Sequence, residues 1–341
     1  MLQQMNDRHH TMKNLLLLSL ALASSAASPN VVPSPGSEFA TPQRLVDIGG
    51  RKLALHCSGT GSPTVVFESP SGGAGWEWWA VQPKVAAKTR ACTYDRAGYG
   101  FSDPSPRAAD ALNAIDDLQA LLKAAGVAPP YVLVGNSFGG GVAQLFAWTH
   151  PAEVQGLVLV EPQHEDELVR PDALTHGAIS DEEKQIIAFG DGCAAQAGKG
   201  FDPQSQAYED CIGGADPSLP PAVGLVGLKL RLTPAWWRVR QAERVALAKD
   251  RDELRAGRRP FGDLPVIVLA RGVSPYLIPG KPQSDTNKAI EAANLALLAD
   301  VAHSSTRGEL RVVPGAGHVI QETHPEAVVT AVDDLLARIS R

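Results

Sequence analysis

From residue 44 onward, short apolar runs alternate with longer segments that have helical periodicity. TVVFE at 64–68 and YVLV at 131–134 are compact apolar runs of the kind that predicts buried strands. The segment DALNAIDDLQALLKAA at 110–125 instead carries apolar residues at helical spacing and stops at Gly126. This alternation is typical of an α/β protein with a mostly parallel sheet flanked by helices.

The whole pattern predicts an eight-stranded sheet, interrupted once by a long helical insertion. The predicted strands lie at 44–48, 52–57, 64–68, 90–94, 131–134, 157–160, 265–270 and 309–313. After the sixth strand the alternation stops, and residues 162–262 contain several Pro and Gly clusters but no convincing strand. We interpret 162–262 as a helical cap inserted into a single domain that spans 44–341.

The N-terminal residues have the pattern of a secretory signal. Arg8 and Lys13 precede the apolar run LLLLSLALA, and small residues follow it up to Ala27. The run is too short to cross a bilayer comfortably, so residues 1–27 are predicted to be a cleaved signal peptide. Residues 28–43 begin with a Pro- and Ser-rich stretch and are predicted to form a flexible leader. We therefore expect a secreted or periplasmic protein without stable membrane insertion.

Composition narrows the range of partners. Hydrophobic residues make up 44% of the 341 residues and charged residues 20%, which is the balance of a soluble globular protein. The formal net charge of −6 gives no broad positive field, which argues against nucleic acid as a partner. The composition leaves the oligomeric state open.

The four cysteines form an even set, as expected in an oxidising compartment. Cys193 and Cys211 are close in sequence and predict one disulfide, which leaves Cys57 to pair with Cys92; four free thiols are the alternative. No Cys-x-x-Cys pair occurs, and the HEDE segment at 164–167 has no spaced partner ligands, so no metal site is predicted.

The strongest chemical signal is Gly135-Asn136-Ser137-Phe138-Gly139. The motif follows a predicted strand and precedes a Gly-rich helix start, a context that forces a sharp turn and lifts the serine hydroxyl above the sheet edge. Short Gly/Ser motifs also arise by chance, but the strand before and the helix after favour a nucleophile. Ser137 is the predicted nucleophile.

A serine nucleophile needs a general base, and the chain has nine histidines. His318 follows Gly315-Ala316-Gly317 just past the last predicted strand, where small residues let a loop fold over the sheet edge. The other histidines lie in the signal segment, in the insertion, within elements or before prolines. The chain order of serine followed by a C-terminal histidine also matches hydrolases with this type of elbow. We therefore predict His318 as the base.

From about residue 45 to 341 the chain resembles the α/β-hydrolase superfamily. The resemblance rests on YDRAGYGFS at 94–102, the elbow around Ser137 and Gly-x-Gly-His at 315–318, in that order. It implies an α/β-hydrolase fold with the catalytic loops at the carboxyl edge of the sheet. Asn136 stands before the nucleophile where His is commoner in such proteins.

The acid of the expected triad is less obvious. In the family it usually follows the seventh strand, but here that loop begins RGVSPY, and its first acid is Asp285 at the start of a helical pattern. Some relatives carry the acid at the end of the sixth strand, where this chain has Glu161. We favour Glu161 and keep Asp285 as the alternative, since Asp is also a common helix cap.

The oxyanion hole needs two backbone N–H groups. By the resemblance, one comes from Phe138 and the other from the loop after the third strand, where alignment gives Ser71. Gly72 and Gly73 are the fallback donors, because Pro70 has no N–H.

These residues predict a secreted serine hydrolase that cleaves a small-molecule carboxylic ester without a cofactor. An aminopeptidase, amidase or lactonase on the same triad is the nearest alternative, because cap residues set the substrate. A catalytically silent binding module of this fold is the alternative from another class.

Overall fold

The computed structural model describes residues 34–278 and 280–340. The predicted signal peptide, residues 1–27, lies outside the described residues. None of the helices in the described ranges is both long and apolar enough to cross a membrane.

The core of the protein is a single eight-stranded sheet in the order β1-β2-β4-β3-β5-β6-β7-β8. Strands β1 and β2 form an antiparallel hairpin, and β2 is also antiparallel to β4; every other neighbouring pair is parallel. The predicted sheet is confirmed. The strands are β1 (Arg44–Asp47), β2 (Lys52–Ser58), β3 (Thr64–Glu68), β4 (Ala91–Tyr94), β5 (Tyr131–Asn136), β6 (Val154–Val160), β7 (Val266–Arg271) and β8 (Gly308–Val313).

Helices cover both faces of this sheet, as parallel strands require. One face packs against α2 and α3, and the other packs against α1 and α11. The helices are α1 (Gln82–Ala86), α2 (Ala111–Ala125), α3 (Phe138–Thr149), α4 (Val169–Thr175), α5 (Ala178–Lys199), α6 (Gln206–Cys211), α7 (Pro221–Arg231), α8 (Pro234–Gly257), α9 (Asp285–His303), α10 (Ile320–Thr323) and α11 (Pro325–Ile339).

Strand β5, in the middle of the sheet, shows why its sequence is a continuous apolar run. Leu133 packs into the cluster beneath α2 and α3, whereas its neighbours Val132 and Val134 pack into the cluster on the opposite face. All three side chains are fully buried. A strand buried on both faces loses the polar alternation of a half-exposed strand.

Helices α4 to α8 lie between β6 and β7, within residues 162–262, and we call this segment the insertion. The longest of them, α8, packs against α5 within the insertion and against α2 and α3 of the main domain. Side chains of α8 also contact the loop that follows β3, at the carboxyl edge of the sheet.

Both predicted cysteine pairs are joined. Cys57 on β2 and Cys92 on β4 are register partners of neighbouring antiparallel strands, which places their side chains on the same face of the sheet. Cys193 near the end of α5 bonds to Cys211 at the end of α6 and closes a loop of the insertion.

The described part of the predicted leader, residues 34–43, is packed rather than flexible. Residues Ser37–Ala40 form a 3₁₀ turn, and Phe39 is buried with its ring stacked on His56 at a centroid distance of 4.5 Å. Pro and Ser richness indicated flexibility, but one aromatic side chain gives this segment enough apolar surface to bind the domain.

Candidate active site

Ser137 lies at the turn between β5 and α3 and has φ 54° and ψ −121°, a conformation that non-glycine residues rarely adopt. The turn brings strand and helix backbones so close that a Cβ on Gly135 would lie 2.3 Å from the carbonyl oxygen of Gly139. The glycines of the motif are therefore sterically required. Strained backbone of this kind is characteristic of functional sites.

The structure brings Glu161 and His318 together. Oε2 of Glu161, directly after β6, lies 3.4 Å from Nδ1 of His318, in the loop after β8. Asp285 is elsewhere: its side chain is fully exposed at the first turn of α9 and pairs with Lys288. The side chain that caps α9 is Ser284, not Asp285.

Arg271, the last residue of β7, holds the Glu161 carboxylate in place. Its backbone N–H donates to Oε1 at 2.8 Å and its Nη1 to Oε2 at 2.5 Å. Burial by itself would raise the pKa of Glu161, but the hydrogen bond from His318 and the charge of Arg271 outweigh burial and lower this pKa below its ordinary value. Glu161 is therefore an anion at neutral pH although its side chain is only 2% exposed.

Asn136, the residue before Ser137, connects the elbow to the His318 loop. Its buried amide donates to the carbonyl oxygen of Val160 at 2.9 Å and to that of His318 at 3.2 Å, and it accepts from Gln321 at 3.1 Å. An amide with both donors and an acceptor can make all of these bonds at once.

Ser137, Glu161, His318 and Ser71 line one cavity of about 710 Å³, which we call the site cavity. The His318 side chain is 47% exposed. Within the described ranges, no hydrogen bond joins the Ser137 hydroxyl to the His318 ring.

The loop at 69–73, after β3, lies beside the elbow. The N–H groups of Gly72 and Gly73 already donate, to Glu243 Oε1 at 2.7 Å and to the Pro70 carbonyl at 3.0 Å. Among the hydrogen bonds of the described chain, neither the Ser71 N–H nor the Phe138 N–H has an acceptor. Of the candidate donors, these two remain available to a ligand.

The described ranges hold no group of three or more His, Cys, Asp or Glu side chains arranged for a metal ion. The HEDE segment at 164–167 is used internally. The backbone N–H of Asp166 donates to His164 Nδ1 at 2.9 Å, and Arg258 pairs with Glu165 at 2.5 Å.

Four residues at the site were not singled out in advance. The sequence did contain a signal for Arg271, because it is a basic residue at the start of the loop in which the family usually has the acid. Arg96 lies inside the YDRAGYGFS segment without a role of its own there. Arg240 and Glu243 lie on α8, and nothing in the sequence of the insertion indicates that they reach the 69–73 loop.

Comparison with known proteins supports the fold and the family. The model of the alpha/beta hydrolase family matches residues 54–331. An esterase from Thermogutta terrifontis superposes with a TM-score of 0.60 at 22% identity, over 85% of this chain and 94% of that one. A haloalkane dehalogenase variant from Bradyrhizobium elkanii gives 0.61 at 19% identity, over 87% and 97%.

Curated relatives match over shorter stretches. The 2-hydroxymuconate semialdehyde hydrolase of Pseudomonas sp. CF600 is 36% identical over 131 residues, which is 35% of this chain and 45% of the relative. The uncharacterized protein YqjL of Bacillus subtilis is 35% identical over 107 residues, or 31% and 42%. The aligned parts thus span less than half of these relatives. The family match covers most of the chain, and the chain belongs to the alpha/beta hydrolase family.

Proposed function

We propose that this protein is a serine hydrolase that cleaves a small-molecule carboxylic ester through an acyl-enzyme, without a cofactor. The observation that carries the proposal is the 3.4 Å contact between Glu161 and His318 in the cavity that Ser137 also lines. A nucleophile, a base and a carboxylate that orients the base are the parts such chemistry needs.

In the first step, the Ser137 hydroxyl oxygen attacks the ester carbonyl carbon, and its proton moves to Nε2 of His318. The N–H groups of Phe138 and Ser71 stabilise the negative charge that develops on the carbonyl oxygen. The C–O bond to the alcohol then breaks, and the leaving alkoxide takes the proton from Nε2. The acyl group stays on Ser137.

In the second step, water attacks the acyl carbon, and His318 Nε2 again accepts a proton. Collapse of the intermediate returns that proton to the Ser137 oxygen and releases the acid. Throughout, Glu161 holds the proton on Nδ1, which keeps Nε2 free to act as base, and stabilises the imidazolium that forms in each step.

A fluorophosphonate probe tests the nucleophile. We expect stoichiometric labelling of the folded protein, loss of labelling in Ser137→Ala, and turnover of an activated ester that is lost in the same variant. A folded protein that neither labels nor hydrolyses any ester or amide would be a silent binding module, and the proposal would be wrong.

Hydrolysis assays also separate the esterase from the nearest alternatives. An ester panel of varied acyl length, run beside aminoacyl amides and lactones, should give the highest kcat/KM on simple esters. Higher kcat/KM on amides or lactones would leave Ser137, His318 and Glu161 in their roles. The assigned activity would then be that of an amidase or lactonase instead of an esterase.

We also propose that the protein acts outside the cytoplasm, secreted or periplasmic, after removal of residues 1–27. The two disulfides support an oxidising compartment. N-terminal sequencing of the protein recovered from its native host tests this; a retained Met1 in the mature protein would contradict it.

A further inference from the structure

Two arginines of α8, Arg240 and Arg244, line the site cavity one helical turn apart. Nη1 of Arg240 lies 2.5 Å from the hydroxyl oxygen of Ser71, in the loop next to Ser137. The insertion therefore places two neighbouring guanidinium groups on the wall of the cavity that Ser137 also lines.

The other cations that line the cavity are neutralised. Glu161 pairs with Arg271 at 2.5 Å. Arg251 pairs with Glu183 at 2.8 Å and with Glu167 at 3.6 Å.

Arg244 has no such carboxylate. In the described part of the chain its guanidinium forms no ion pair, and Nη1 donates to the carbonyl oxygen of Ile186 at 3.1 Å. Glu182 also lines the cavity but pairs with neither arginine there. Arg240 is 3.8 Å from Glu243, a carboxylate that it shares with Arg96.

Arg244 is half-buried and lies next to a second cation, Arg240, on the same wall of the cavity. Burial and the neighbouring charge of Arg240 lower the pKa of Arg244, in that order of size. A bound anion would relieve the repulsion and supply charge-assisted hydrogen bonds to a guanidinium that has donors to spare.

We infer that the substrate carries a carboxylate and that Arg244 binds it. The charge of Arg240 adds to the positive electrostatic potential at this position. This inference rests on the proposed function and specifies its substrate class as an acidic ester. Arg244 then selects among esters and takes no part in bond breaking.

Two matched activated esters test this: 4-nitrophenyl butyrate, which is neutral, and the mono-4-nitrophenyl ester of glutaric acid, which ends in a carboxylate. We expect kcat/KM to favour the acidic ester, and Arg244→Gln to lower the acidic-to-neutral ratio about tenfold, the value of one charge-assisted hydrogen bond. Added salt should lower the wild-type ratio as well. The matched control is Arg238→Gln, which removes an exposed charge from the same helix outside the site cavity and should leave the ratio unchanged.

The outcomes separate the two proposals. If the wild type shows no preference for the acidic ester, or Arg244→Gln leaves the ratio unchanged, the anionic-substrate inference is wrong while the esterase stands. If neither ester is hydrolysed, or Ser137→Ala hydrolyses both as well as the wild type, the proposed function itself is wrong.

A separate observation concerns Glu243, whose side chain is 3% exposed. Its carboxylate accepts the Gly72 N–H at 2.7 Å, the Tyr99 hydroxyl at 3.0 Å and Nη2 of Arg96 at 3.1 Å. It lies on α8 of the insertion, whereas its three partners lie in the main domain.

Arg96 completes the arrangement from the other side. Its Nη1 donates to the carbonyl oxygen of Ser69 at 2.6 Å and its Nη2 to that of Pro70 at 2.7 Å. The 69–73 loop is thus held by one buried ion pair through its carbonyls and through the Gly72 N–H. This fixes the direction of the Ser71 N–H that lies between them.

We propose that Glu243 is a positioning residue, through which the insertion sets the geometry of the Ser71 oxyanion donor. This gives the YDRAGYGFS segment a role, because Arg96 and Tyr99 both belong to it. Helix α8 of the insertion then positions an oxyanion donor as well as lining the site cavity.

Glu243→Gln tests this, since the amide would turn a donor toward Arg96 or Tyr99 and loosen the loop. We expect kcat per probe-labelled site to fall about tenfold or more with KM changed little, as for a misplaced oxyanion donor. Binding of a boronic acid, which mimics the tetrahedral intermediate, should weaken by the same factor. Glu253→Gln is the matched control: Glu253 is also on α8 and accepts a backbone N–H, from Leu112 at 3.2 Å, away from the site.

If Glu243→Gln lowers only stability, with kcat per labelled site and boronic acid affinity equal to the wild type, Glu243 is merely structural and the proposal fails. If this variant does not fold, Tyr99→Phe removes one donor to Glu243 and carries the same test. A boronic acid affinity unchanged in Tyr99→Phe would likewise overturn it.

Discussion

Nη1 of Arg271 lies 2.5 Å from Oε2 of Glu161, the same oxygen that faces Nδ1 of His318 at 3.4 Å. Arg271, at the end of β7, is thus a cation that holds the carboxylate of Glu161, which directly follows β6. Because Arg271 also pairs with Glu291, its charge is shared between two acids, and Glu161 remains available to His318.

Glu161→Gln should reduce kcat by about 10³-fold or more, because the amide cannot hold the His318 proton or stabilise the imidazolium as a carboxylate does. Asp285→Asn should leave kcat unchanged, since its exposed side chain pairs only with Lys288 in the described ranges. Steady-state kinetics of both variants on one activated ester checks this. Loss of turnover in Asp285→Asn alone would reverse the assignment.

Glu68, at the end of β3, should make stability depend on pH. Burial raises the pKa of Glu68 to about 7, although Arg96 and Tyr94 partly offset this. The folded state therefore binds a proton that the unfolded state has lost, and the free energy of unfolding should fall by about 3 kcal/mol as pH rises from 4.5 through 7. Urea unfolding at pH 5 and pH 8 measures this fall, and Glu68→Gln should remove most of it. An identical pH dependence in variant and wild type would show that Glu68 does not titrate in this range.

Gly135→Ala should abolish the elbow geometry. The new Cβ would lie 2.3 Å from the Gly139 carbonyl oxygen, so strand and helix would have to separate. We expect a loss of several kcal/mol of stability or of nearly all labelling at Ser137. Gly192→Ala is the control: a Cβ there, on an exposed face of α5, meets nothing, and the change should stabilise by about 0.5–1 kcal/mol. Equal effects of the two changes in thermal unfolding would argue against a steric requirement at Gly135.

Replacing both Cys193 and Cys211 by serine should lower the free energy of unfolding by about 3 kcal/mol, the loop-closure entropy of a bridge of this span. The measurement is urea unfolding of the variant and the wild type, both without reductant, so that the Cys57–Cys92 bridge stays intact in each. Equal free energies of unfolding would contradict the expected stabilisation.

Much of the fold follows from short-range pattern. A few consecutive positions were enough to predict the buried strand at 131–134, the sharp turn at Ser137 and the loop before His318. This is possible because strand, turn and helix each impose a local spacing on the sequence. The leader shows the limit of such reasoning: its composition predicted flexibility, and one buried Phe39 reversed that for the described residues.

The sequence by itself determined the sheet and the candidate nucleophile and base, and it indicated which cysteines could pair. Only the tertiary structure decided that Glu161, not Asp285, lies beside His318, and that Arg244 and Glu243 of the insertion reach the same site. The reason is physical: these contacts join residues far apart in the chain, and their spacing depends on how α8 packs over the sheet edge. No local periodicity encodes that packing, whereas the elbow carries its own geometry in five consecutive residues.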